Sequence, residues 1–200
     1  MRASMTWIIV GLGNPGEEYT GTRHNTGRMA VEQFAKDNDF SVWKPDFKSK
    51  ATVAKGTIAK NLVALVCPDT FMNKSGSAVV KYVKSVKAAE RMVVVYDDLD
   101  LAVGTMKVSF DRGSGGHKGL ESVTRAVKTK KFARVRIGIS PTTAAGKIKK
   151  PLGDGEVAEF ILARFKQSEL PTINPIFKKA SQAIGSIITD GYAVAMNKFN

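Results

Sequence analysis

Short apolar runs punctuated by turn residues make up most of this chain, and their periods sort them into strands and helices. Residues 7–10 read as a buried strand and 26–36 as an amphipathic helix. Two strands at 51–59 and 62–67 are expected to meet at a Lys60-Asn61 turn, with Pro68 closing the second. Asn73 and Ser75 stand as N-caps for a helix over 78–87 that carries Val79, Val80, Val83 and Val86 on one face. The most apolar run, 92–96, reads as a strand stopped by Asp97-Asp98-Leu99-Asp100. A shorter alternating strand at 105–110 leads into a glycine-rich loop from Asp111 to Gly119, and a helix at 120–127 follows. Residues 133–139 form another strand, ended by Ser140-Pro141. Residues 142–155 are poor in apolar side chains and are expected to be a mobile loop. Ser168 caps a final helix running to about Asp190, with Pro171 and Pro175 near its start.

Strands that alternate with helices, plus hairpins, predict an α/β fold. The expectation is a single-domain sandwich over 1–200 with a twisted mixed β-sheet flanked by helices. Asn14, Asn73, Asp97 and Ser140 each come just after an apolar strand, so their strand ends would converge on one edge of the sheet.

Composition narrows the class. Two hundred residues suffice for a core without disulfide staples. The single Cys67 lies in an apolar run, which fits a reducing cytoplasm. No stretch is long enough to span a bilayer, and residues 1–6 lack the apolar core of a secretory signal. Met5 is a second candidate start. The formal net charge of +13 favours a polyanionic partner, nucleic acid first and an anionic membrane second. The membrane ranks lower because no basic amphipathic helix with bulky anchors stands out. Lys128, Lys130 and Lys131, and Lys147, Lys149 and Lys150, serve equally well as solvated faces.

The chemistry gathers in residues 11–27, between the first strand and the first helix. Gly11-Leu12-Gly13-Asn14-Pro15-Gly16 matches a dinucleotide-binding pattern, but Pro15 follows at once and helix signals resume only near Thr26. A nucleotide fingerprint needs the helix to begin inside the glycines, so NAD-dependent redox chemistry is disfavoured. His24 is one of two histidines, and neither sits on an apolar periodic face. Paired with Asp97, it would make a general base whose tautomer a carboxylate fixes. No Gly-x-Ser-x-Gly elbow is present and Cys67 reads as buried, so the nucleophile would be activated water. A metal reading of His24, His117 and Asp97 lacks supporting ligand spacing. Phe71 offers a flat apolar wall beside the Asn73 amide, and the Gly113–Gly119 loop offers backbone amides to an anion. Arg134 and Arg136 share one strand face and could meet phosphate together.

Five blocks in register make the resemblance specific. They are Gly-Leu-Gly-Asn-Pro-Gly-x-x-Tyr-x-x-Thr-Arg-His-Asn, Phe-Met-Asn-x-Ser-Gly, Asp-Asp-Leu-Asp-Leu, Gly-Gly-His-x-Gly-Leu and Arg-x-Arg-Ile-Gly-Ile. In order and spacing they are similar to the bacterial-type peptidyl-tRNA hydrolase family, from about residue 6 to Asn197. The resemblance implies a cytoplasmic monomer that cleaves the ester between a peptide and the 3′ ribose of tRNA, with no cofactor or metal and no membrane partner. It implies His24 as the base, Asp97 as its support and Asn14 as a reader of blocked aminoacyl groups. Tyr19, Phe71 and Asn73 would line the site, with His117 and Lys118 beside it, and Lys107 and Arg136 would hold tRNA phosphate. The chain departs from the pattern at Lys118, where the family often has Asn, at Ser109, where a basic residue is frequent, and at Ser140, usually Gly. The alternatives are a non-catalytic RNA-binding factor on the same fold, which would lack the His24–Asp97 pair, and the disfavoured oxidoreductase.

Overall fold

The computed structural model describes residues 6–200, so the choice between Met1 and Met5 lies outside the described residues. The apolar run at 7–10 is strand β1 (Trp7–Gly11), with every residue after Trp7 buried. A strand flanked on both sides by parallel neighbours reads as a continuous apolar run. β1 has such neighbours, because it runs parallel to both β4 (Asn61–Pro68) and β5 (Met92–Ala102). Beyond β4, the antiparallel strands β3 (Ala51–Ile58) and β2 (Lys44–Asp46) extend the sheet. Beyond β5 come the parallel strand β7 (Ala133–Ser140) and the antiparallel edge strand β6 (Met106–Phe110). The order is β2-β3-β4-β1-β5-β7-β6, the mixed sheet expected.

Side chains alternate across this sheet and feed two cores. Ile9, Leu65, Val93, Val95 and Val135 pack against helices α1 (Thr26–Asp37), α6 (Leu170–Asp190) and α7 (Tyr192–Phe199). Ile8, Val10, Val66, Val94 and Tyr96 pack on the other face. Their partners there are α2 (Ser75–Val79), α3 (Val86–Ala89) and α4 (Lys118–Val127). Helix α5 (Asp154–Leu162) packs on the Arg23–Asn25 turn.

Several elements differ from the sequence expectations. β5 does not stop at Tyr96 but runs through the aspartates to Ala102. β7 supplies the ladder partners, Asp97 opposite Ile137 and Asp98 opposite Gly138, before the register shifts. The helix expected over 78–87 is two short pieces. Adjacent β-branched valines disfavour a continuous helix, the Tyr82 phenol donates to Asp46 Oδ2 at 2.6 Å, and Ser85 Oγ restarts α3 by accepting from the Ala88 N–H. Neither Asn73 nor Ser75 caps α2; Ser75 Oγ donates to the Met72 carbonyl instead. The β3–β4 turn falls at Ala59-Lys60, both with positive φ, as a two-residue hairpin requires. Ser168 sits inside a 3-10 turn, and Glu169 is the residue that precedes α6. Sequence patterning missed β2, α5 and α7, and α5 begins inside the stretch expected to be a loop.

Candidate active site

The site forms where β1 ends. The Leu12 N–H donates to the Val95 carbonyl at 3.0 Å, and after that bond β1 turns away from β5. The next stretch of β5, carrying Asp97, is then open toward the Arg23–Asn25 turn at the start of α1. Gly27 makes the approach possible. A Cβ there would run into the Val95 carbonyl and the Leu12 backbone, so only glycine lets α1 seat this deeply. Arg23 ties the same turn to α5's far end: Nη1 donates to the Ala163 and Arg164 carbonyls, and Nη2 pairs with Glu169 at 2.7 Å. Its guanidinium also lies over the rings of Phe160 and Phe165.

Between these elements stands an Asp97 carboxylate shared by two imidazoles. His24 Nδ1 lies 3.1 and 3.0 Å from its two oxygens, and His117 Nε2 lies 3.0 Å from Oδ1. His117 Nδ1 accepts the Leu120 N–H at 3.1 Å, so its Nε2 carries the proton and donates to Asp97. With two N–H donors on the carboxylate, His24 is left with Nε2 as its free base, which no group among the described residues engages. Burial pushes the His24 pKa down, but the charge and hydrogen bond of Asp97 outweigh it, so the net shift is upward; Lys118 opposes the rise. Burial pushes Asp97 up, yet the two histidines hold it well below the usual carboxylate range.

His24, Asp97, His117 and Lys118 line one cavity of about 300 Å³, walled also by Tyr96, the Ser114–Gly116 loop and Val157, Ala158 and Ile161 of α5. His24, Asp97 and His117 could hold a metal ion by proximity alone. However, the nitrogens aimed at the carboxylate are at hydrogen-bond distance from it, which the two N–H donors explain without an ion. Cys67 is buried, and its thiol is pushed up to about 12, which leaves it no role as a nucleophile.

Asn14 is locked beside this cavity rather than inside it. Its backbone N–H and C=O exchange hydrogen bonds with the Asn25 side chain, at 2.8 and 2.9 Å. Its own Oδ1 accepts the Met72 N–H at 2.8 Å, which leaves the amide N–H donors of Asn14 for a ligand. It opens onto a second cavity of about 320 Å³. Arg28 braces the arrangement, reaching the Asn14 carbonyl at 3.2 Å and Asp69 Oδ1 at 2.6 Å, while Thr52 donates to the other Asp69 oxygen.

The remaining expected residues line neither cavity. Phe71 and Asn73 are exposed on either side of Met72. Tyr19 is half-buried, and its carbonyl holds Thr22. Lys107 is exposed and pairs in register with Arg136, so both point to the α4 face. Arg136 Nε donates to Asp98 Oδ2 at 2.6 Å. Arg134 does not join it as a phosphate ligand: fully buried, it donates to the Gly113 and Lys130 carbonyls. Ser109 is buried opposite Arg134, with its hydroxyl unpaired, and Ser140 Oγ donates to the Leu99 carbonyl.

The sequence model of the family described as peptidyl-tRNA hydrolase matches residues 8–200. The peptidyl-tRNA hydrolase of Alkaliphilus oremlandii is 42% identical over 194 residues, covering 96% of this chain and 98% of that one. That of Thermoanaerobacter sp. is 40% identical, covering 97% and 99%. The chain belongs to the peptidyl-tRNA hydrolase family. The crystal structure of peptidyl-tRNA hydrolase from Acinetobacter baumannii superposes with a TM-score of 0.86 at 31% identity, over 100% of this chain and 97% of that one.

Within this peptidyl-tRNA hydrolase fold, sequence reasoning missed Arg23, Arg28 and Asp69, and it gave Asn25 no role beyond a hydrogen-bonding side chain of the 11–27 stretch. Asn25 had a signal, since it adjoins His24 in the same block. Arg28 and Asp69 had none: they are 41 positions apart, and only the β1–β4 pairing brings them together. Among the described residues, no helix is long and apolar enough to cross a membrane.

Proposed function

We propose that this protein hydrolyses the ester between a peptide, or N-blocked aminoacyl group, and the 3′ ribose of tRNA. The observation that carries the reading is His24: Nδ1 is spent on Asp97, and Nε2 is unengaged on a ring that lines an open cavity. A water held against Nε2 gives up a proton to it while its oxygen bonds to the ester carbonyl carbon. The tetrahedral adduct then expels the ribose oxygen, which takes the proton back from His24. Asp97 favours the transient imidazolium and holds the tautomer, a contribution of roughly 10²–10⁴-fold for such acid–base chemistry. His117 keeps Asp97 ionised and fixed.

Asn14, its oxygen tied to Met72, offers N–H donors to the carbonyl of a blocked aminoacyl group, which a free amine lacks. Tyr19, Phe71 and Asn73 serve as the rim for the peptide and the terminal nucleotide. Lys118, Lys107 and the unpaired end of the Arg136 guanidinium serve phosphate. This machinery works as one domain over 1–200 and as a monomer in the cytoplasm, the compartment that suits the unpaired Cys67.

The test is incubation with an N-acetylaminoacyl-tRNA and its unblocked counterpart. Cleavage of the blocked ester alone is expected. Cleavage of neither, or of both equally, overturns the assignment. Light scattering at micromolar concentration checks the monomer.

A further inference from the structure

A third depression adjoins the active-site cavity and shares Ser114 with it. It is about 300 Å³ and is lined by Arg112, Ser114, Glu121, Thr124, Arg125 and Lys130. Among the described residues, no carboxylate pairs with Arg112, Arg125 or Lys130. The one acidic side chain, Glu121, accepts from Ser114 Oγ at 3.0 Å. Three cations facing one carboxylate repel each other unless an anion joins them.

The walls are fixed from below. Arg134 donates Nη1 to the Gly113 carbonyl, between Arg112 and Ser114, and Nη2 to the Lys130 carbonyl. One fully buried guanidinium therefore ties the two rims together. Lys128, in the left-handed region with φ of 58°, turns the chain after α4 so that Lys130 comes back to the rim.

We propose that this depression binds a backbone phosphate of the tRNA substrate, some nucleotides away from the scissile ester. The inference rests on the tRNA-esterase reading of His24. Ser114 is a wall of both cavities, so a strand whose 3′ end lies at His24 reaches the depression by passing over that residue. From Lys118, in the active-site cavity, to Arg125 is seven residues of α4. That is about 10 Å at 1.5 Å per residue, too far for one phosphate to serve both Lys118 and Arg125. An open, solvent-facing bowl suits a phosphate carried on a strand better than a small enclosed anion. No base edge is read, so every tRNA is served alike.

The experiment compares wild type with Arg112→Ala/Arg125→Ala/Lys130→Ala and with Glu121→Gln. Binding to deacylated tRNA is titrated against salt. Hydrolysis is measured on an N-acetylaminoacyl-tRNA and on the same ester carried by a CCA trinucleotide. The triple variant is expected to bind tRNA at least 10-fold more weakly at low salt. Its log–log salt slope becomes shallower by about 0.7–0.9, the share of one phosphate that the protein no longer neutralises. Its turnover of the trinucleotide ester stays within two-fold. Glu121→Gln is expected to tighten tRNA two- to three-fold, an effect that damage to the fold cannot produce. Lys178→Ala/Lys179→Ala/Lys198→Ala on α6 and α7, across the sheet, removes the same three charges and controls for net charge.

A triple variant no weaker than that control, or one that loses trinucleotide turnover equally, overturns the phosphate site. If wild type cuts neither ester, the esterase reading fails, while the salt titration still judges the depression on its own.

Discussion

The backbone N–H of Leu120 donates to Nδ1 of His117 at 3.1 Å, and that bond places the proton on the opposite side of the ring, facing Asp97. One histidine thus caps a helix and donates to the carboxylate that pairs with His24. The two duties separate by substitution. Asparagine is a good N-cap but cannot reach as an imidazole Nε2 does. His117→Asn should keep stability within about 0.5 kcal/mol, whereas His117→Ala should lose about 1 kcal/mol. Both should slow ester hydrolysis by about ten-fold, which is the loss of one charge-assisted donor of about 1.4 kcal/mol. Urea unfolding and single-turnover hydrolysis measure the two effects; retained turnover in either variant contradicts the Asp97 role.

His24→Ala should remove nearly all hydrolysis while tRNA binding stays close to wild type. Equal loss of both would mean that His24 only holds the fold. In wild type, activity should rise with pH through the elevated His24 pKa, because only the neutral ring accepts a proton. Asp97→Asn removes the partner that raises this pKa and leaves burial, which lowers it. The acid limb then moves to lower pH, while the plateau falls roughly 10²- to 10⁴-fold. Lys118→Asn should shift the limb the other way, since Lys118 opposes the rise. An acid limb that stays put in both variants would rule out His24 as the titrating base.

The same pair makes stability depend on pH. Asp97 is depressed in the folded chain, so its contribution is present above its unfolded pKa of about 3.9 and is lost as pH falls toward the folded value. His24 is raised, so its contribution is full below about 6.5 and is lost as pH rises through the folded value. The stability gap between wild type and Asp97→Asn should therefore be widest between about pH 4 and 6.5. Urea midpoints across pH check this, and a constant gap would contradict it.

Gly27→Ala inserts a methyl group against the Val95 carbonyl and the Leu12 backbone. Overpacking of this kind costs about 1–3 kcal/mol. Because it pushes α1 off the sheet, it should also pull His24 from Asp97 and depress kcat more than a surface variant of equal Tm does.

Arg28, in the first turn of α1, and Asp69, just after β4, are joined by one ion pair at 2.6 Å. Arg28→Ala, Asp69→Ala and the double variant form a cycle whose coupling should be about 0.5–3 kcal/mol. Hydrolysis should slow in each with the acid limb unmoved, because neither residue touches His24. An additive cycle would show that the pair does not act as a unit.

Much of the fold was legible because its central strands are buried on both faces and its turns carry strong breakers. What failed did so for tertiary reasons. Local polarity argued that Asp97-Asp98-Leu99-Asp100 ends a strand, but β7 lends the ladder bonds that keep β5 going, and Arg136 neutralises Asp98. A run of valines at helical spacing argued for one helix over 78–87, but the bond from Tyr82 to Asp46 and the Ser85 cap favour a break. Arg134 looked like a partner of Arg136 because alternation shows which face a side chain takes, not how deep it lies.

The sequence by itself determined the class of sheet, the glycine-rich turn after the first strand and the pairing of His24 with Asp97. These follow from residue type and local period, which the chain carries wherever it is read. Only the tertiary structure decided that Asp97 serves two histidines, that Asn14 points its amide by way of Met72, and that Arg134 braces a basic depression beside the cavity. Each of those needs a distance between residues far apart in the chain, and such distances are set by how strands pair and helices dock.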